Sequence, residues 1–131
     1  MVAPMKLVAT ISRYLLGIVF LVFGLNGFLQ FIPPQPLPPL AMQFFTVIVV
    51  SHFTVMVFAF QILVGVLFLV NRYVPLAIVI VAALLVNILT FHITMQPAGL
   101  PIPIVVLILW VILALDHRPA FTGLLAARTP D

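Results

Sequence analysis

Between Arg13 and Arg72 lie 58 consecutive residues without a charged side chain, and between Arg72 and Asp116 lie another 43. A folded surface in water does not tolerate such runs, because soluble domains carry about 25% charged residues spread over their exposed faces. Here 5% of the 131 residues are charged and 66% are hydrophobic. The solvent for most of this surface is therefore hydrocarbon, which excludes a soluble enzyme or a free nucleic-acid-binding domain. The pI of about 10.3 rests on five scattered cations; they form no basic stripe of the kind nucleic acid requires.

One crossing of a bilayer takes roughly 20 apolar residues as a helix. The first charge-free run is too long for one crossing and fits two with a connection. The second fits two short crossings and a tight turn. Backbone polar groups in lipid must bond within their own segment, so the crossings are helical. The breakers set their limits. Span one runs over residues 12–31 and stops at five prolines between Pro33 and Pro39. Span two covers 54–70 and span three 74–92, with Pro75 in a first turn where its missing donor costs nothing. Span four covers 101–115, after the turn Gln96-Pro97-Ala98-Gly99. Residues 40–51 contain the β-branched run Thr46–Val50. An open strand edge is not viable beside lipid, so this segment is expected to be a short interfacial or re-entrant helix. The expected fold is an all-α integral membrane four-helix bundle, forming one domain over residues 1–131.

Lys6, Arg13, Arg72, Arg118 and Arg128 all fall on one side of that arrangement. Positive charge marks the cytoplasmic side, so both termini are expected there. The basic start and apolar stretch resemble a signal peptide without a small-residue cleavage site, and read as a retained anchor. The chain has no cysteine, which removes thiol relays, iron–sulfur clusters, cysteine-ligated zinc and c-type haem.

Polar side chains inside hydrocarbon are costly and call for a reason. Asn26 and Gln30 share a face of span one. Asn87, Thr90 and Thr94 share a face of span three. Gln61 lies near the middle of span two. These amides are expected to converge in the outer half of the bundle, either as a polar pocket or as interhelical hydrogen bonds worth about 0.6 kcal/mol each. His92 lies at the outer end of span three, about 140° around the helix from Asn87. It reads as a wetted interfacial histidine, a quinone hydrogen-bond donor, or with His52 a haem ligand. Gly17, Gly24 and Gly27 line one side of span one and read as packing. Asp116 and His117 read as solvated tail residues. A sparse internal echo at an offset of 61 lays Asn26 on Asn87, Gln35 on Gln96 and Pro36 on Pro97.

The stretch from Arg13 to Phe28 (RYLLGIVFLVFGLNGF) resembles the opening helix of the DoxX family of small bacterial membrane proteins. The Pro-rich loop, Gln61-Ile-Leu-Val-Gly65, Asn71-Arg-Tyr-Val-Pro75, Val86-Asn-Ile-Leu89 and Pro97-Ala-Gly-Leu-Pro101 continue the resemblance over residues 10–120. It implies a four-helix bundle in the bacterial inner membrane and a link to quinone-coupled redox complexes. Relatives often carry a glutamate where this chain has Gln61, which cannot titrate.

With no buried acid, no phosphate loop and an all-apolar fourth span, the chain is expected to be a non-catalytic accessory, structural or assembly subunit. Its host would be a larger membrane complex of the electron-transfer type, respiratory or photosynthetic. The alternative is a quinone-linked oxidoreductase component with Asn26, Gln30, Gln61, Asn87 and His92 around the ligand.

Overall fold

The computed structural model describes residues 3–130. The chain is all-α. Five α-helices follow in order: α1 (Ala3–Leu29), α2 (Pro39–Val50), α3 (Phe53–Val70), α4 (Val74–Met95) and α5 (Pro101–Asp116). Helices α1, α3 and α4 are long and apolar enough to cross a membrane, while α2 and α5 are shorter apolar helices.

The helix ends fall where the chemistry stops propagation. Pro39 opens α2 and Pro75 sits in the first turn of α4. Gln30, at the end of α1, adopts φ 52°, and Asn71 caps α3 at φ 56°. Both are left-handed closures of the kind that end helices. The start of α1 differs from the sequence expectation. It begins at Ala3, well before residue 12, so Lys6 and Arg13 lie within the helix instead of before it. Thr46–Val50, with strand propensity in water, is helical in α2, because only a helix satisfies its backbone without an edge partner.

Helices α1, α3, α4 and α5 close into a ring in that cyclic order, with the α1–α3 seam the most extensive. That seam is antiparallel. Gly17 faces Gly65 and Leu69, Gly24 faces Ile62, and Gly27 faces Phe58, so numbers rise along α1 as they fall along α3. The approach is close enough that a Cβ on Gly65 would lie 2.6 Å from the backbone nitrogen of Leu21. Small residues at such seams let helix backbones meet, which is how packing holds helices together where hydrocarbon offers no hydrophobic drive. The core inside the ring is Leu16, Phe20, Val64, Phe68, Ala77, Ile78, Val81, Leu85, Val106 and Leu113. Trp110 ties α5 to α4 by donating from Nε1 to the Ile78 carbonyl at 2.9 Å. Helix α2 lies outside the ring against α3 and α4. It buries only Ala41 and sets Phe44 on Phe91 with ring centroids 5.7 Å apart.

Candidate functional site

A cavity of about 370 Å³ lies in the half of the ring that carries the Pro-rich loop and the α4–α5 turn. Its walls come from all four ring helices and the Pro-rich loop: Val19, Phe20 and Phe23 on α1, Gln61 on α3, Ile88, Phe91 and His92 on α4, and Pro103 and Val106 on α5. Gln35 and Leu37 from the loop, with Gln96 and Gly99 from the α4–α5 turn, complete it. Its volume falls within the range of small-molecule sites, and its walls are overwhelmingly hydrocarbon.

Four polar side chains line it, Gln35, Gln61, Gln96 and His92, and Gln61 and His92 come from the ring helices. Gln61 is 8% exposed, and its Oε1 is buried without a hydrogen-bond partner. An unpaired buried acceptor costs about 1–3 kcal/mol, so this atom is poised for a donor. His92 is half-buried, with Nδ1 2.7 Å from the Ile88 carbonyl. A carbonyl only accepts, so Nδ1 carries a proton, and the neutral tautomer with that proton holds a lone pair on Nε2. That nitrogen sits beside Gly99, where an added Cβ would lie 3.2 Å from it. The cavity thus presents two hydrogen-bond acceptors in an apolar chamber. It fits a flat or chain-like apolar molecule carrying O–H or N–H groups.

The five residues expected to converge divide into two groups. Gln61 and His92 line the cavity. Asn26, Gln30 and Asn87 do not. Asn26 turns back to accept from the Ile32 backbone nitrogen at 2.7 Å, and Gln30 is exposed in the left-handed turn after α1. Both serve the chain reversal into the Pro-rich loop. Asn87 is exposed on the outside of α4, donating to the Ala83 carbonyl at 2.9 Å. The pocket is therefore a mostly apolar chamber with two polar side chains from the ring helices, where the sequence pointed to a stripe of converging amides. Gln35 and Gln96 were not singled out as site residues, although the 61-residue echo paired them and both line the cavity mouth.

Asn87 belongs to a different feature. At about 100° per residue, Ala83, Asn87, Thr90 and Thr94 form one stripe opposite the buried face of α4, and all four are exposed. Thr90 and Thr94 bond back to the carbonyls of Val86 and Thr90, each at 2.6 Å. Asn87 makes no hydrogen bond beyond its own helix among the described residues. A small, polar stripe thus faces outward along a helix long and apolar enough to cross a membrane.

His52 is exposed in the left-handed turn between α2 and α3. Among the described residues, no cluster of three or more histidine or acidic side chains could hold a metal ion. No family model matches the chain, and neither a curated protein nor a solved structure matches it.

Proposed function

We propose that the chain is a non-catalytic accessory subunit of a larger bacterial membrane complex of the electron-transfer type, docked through the outward face of α4. The observation that carries this reading is the exposed stripe Ala83–Asn87–Thr90–Thr94. Facing lipid alone, the Asn87 amide would leave one N–H donor and the Oδ1 acceptor unmet in hydrocarbon. Against a neighbouring helix, small and hydroxylated residues permit close approach and amides bond across the seam. Most of the remaining exposed surface of the long helices is apolar.

In this reading the chain resides in the inner membrane with four crossings, and both termini are cytoplasmic. Helix α5 has 16 residues, about 24 Å at 1.5 Å per residue, short of the ~30 Å hydrocarbon core. It nonetheless packs between α1 and α4, with its first turn at the apolar cavity and its last residue, Asp116, bordering the same second cavity as Arg13 and Asn71. That is support for a fourth crossing with local thinning of the bilayer. The test is gentle extraction of the untagged membrane followed by native separation. The reading expects this chain in a stoichiometric assembly that Asn87→Leu disperses; free monomer throughout overturns it.

A second reading rests on its own observation, the orphaned Oε1 of Gln61 in the apolar cavity. A quinone-class or similar amphipathic molecule in its hydroxyl-bearing, reduced form would satisfy both Gln61 and His92. The two readings are compatible, since an accessory subunit can hold such a molecule beside its host complex. The DoxX resemblance favours both.

A further inference from the structure

At the other end of the ring a second cavity, of about 210 Å³, is bordered by Thr10, Arg13, Asn71, Asp116 and His117. Its chemistry is the inverse of the first, being polar and carrying both signs of charge. Arg13 is 8% exposed. Its Nη1 donates to the Phe68 carbonyl, and its guanidinium lies over the Tyr14 ring, 4.3 Å from the centroid. A guanidinium carries five N–H donors, and no carboxylate among the described residues lies within ion-pair distance of it. Across the cavity, Asp116 has the opposite deficit. Among the described residues its one ion-pair partner is His117 Nδ1 at 3.6 Å, which also lies 3.1 Å from the Leu113 carbonyl. The cavity therefore holds a cation with spare donors and an anion with spare acceptors, kept apart.

We propose that this cavity binds the headgroup of an amine-bearing phospholipid, with the phosphate on Arg13 and the ammonium on Asp116. A net-neutral ligand with separated charges matches a site whose own two charges are separated and close to balanced. Phosphate suits Arg because the planar guanidinium can donate two parallel hydrogen bonds. An ammonium suits Asp116 because it brings donors that a trimethylated amine lacks. The last turn of α5 ends at Asp116, and the negative end of its dipole favours the cationic half of the ligand there. Tyr14, exposed beside Arg13, is the kind of aromatic that sits at headgroup level.

The test uses the full chain purified from membranes and placed in nanodiscs of equal phosphatidylethanolamine, phosphatidylcholine and phosphatidylglycerol. Bound lipid is then read by native mass spectrometry. The expected result is about tenfold enrichment of phosphatidylethanolamine over phosphatidylcholine, the scale of one lost charge-assisted hydrogen bond. Asp116→Asn, which removes no structural hydrogen bond, should abolish that preference. Arg13→Gln should lower retention of all phospholipids; because it also uncaps α3, the Asp116→Asn result decides. Displacement by soluble glycerophosphoethanolamine would show that the headgroup chemistry suffices. Failure to displace would assign the site to bilayer lipid, and either result supports the proposal. Equal retention of phosphatidylethanolamine and phosphatidylcholine by the wild-type chain, or an undiminished preference in Asp116→Asn, overturns it and leaves a water-filled cavity.

Discussion

The guanidinium of Arg13, buried on the α1 seam, donates a hydrogen bond to the backbone carbonyl of Phe68 in the last turn of α3. One bond joins two helices that run in opposite directions, and it adds a charged donor to a carbonyl that the Asn71 backbone nitrogen reaches only at 3.4 Å. The positive side chain also meets the negative end of the α3 dipole. Arg13 is thus a structural clamp at one end of the bundle as well as a flanking charge.

Removing the clamp should destabilise the fold without unravelling the other end. Arg13→Gln is expected to lower the unfolding free energy by about 2 kcal/mol, the scale of a hydrogen bond to a charged group. Titration with a denaturing detergent, followed by far-UV circular dichroism, checks this. Arg13→Lys should fall between the two, since an ammonium reaches one carbonyl but loses the flat stack on Tyr14.

The α1–α3 seam should reject a single methyl group at Gly65, while Gly123, after α5, should accept one. A Cβ on Gly65 meets the backbone of Leu21, which cannot rotate away. Gly65→Ala is expected to cost about 1–3 kcal/mol, as overpacking does. At Gly123 nothing lies within 4 Å of an added Cβ, so Gly123→Ala should leave the same titration unchanged.

Gln61 should behave as a residue kept for binding. Gln61→Leu removes an orphaned buried acceptor and is expected to leave stability unchanged or raise it by about 1 kcal/mol. The same substitution should lower retention of hydroxylated apolar ligands, as read by extraction and chromatography of the purified protein. Loss of stability with ligand content unaltered would make Gln61 a structural residue.

The proposed four-crossing topology is open to a direct labelling test, because the chain has no native cysteine. Ala98→Cys and Gly123→Cys place single thiols at exposed positions near opposite ends of the ring. A membrane-impermeant maleimide applied to intact spheroplasts should label Ala98→Cys and spare Gly123→Cys until the membrane is opened. Labelling of both from outside contradicts the topology.

The helices were legible because charge-free runs and prolines are one-dimensional signals, and hydrocarbon leaves helix as the backbone's main solution. The start of α1 was not, because Lys6 and Arg13 were taken to mark a boundary while a helix continues unbroken through the interfacial zone. Gln61 and His92 stood out as polar residues in apolar runs, and both reached the cavity. Asn26 did not, because its side chain was recruited by the Ile32 backbone in the adjoining turn, a local competition that polarity alone does not reveal. Asn87 went outward for a reason that was countable: the 140° separating it from His92 allows only one of the two to face the cavity. Arg13 was counted as a surface charge. Its spacing of four from both Ala9 and Gly17, two residues of the buried seam face, was the signal that it lies inside.

Docking through the outward face of α4 is the claim on which the functional account turns. The direct measurement is in-cell photocrosslinking with a benzophenone amino acid at position 87, compared with the same probe at Ile108, an exposed apolar position on α5. The account expects one discrete adduct with a transmembrane segment of a single partner protein from position 87, and none from position 108. Adducts with lipid alone at position 87, or the same adduct pattern from both positions, would contradict it.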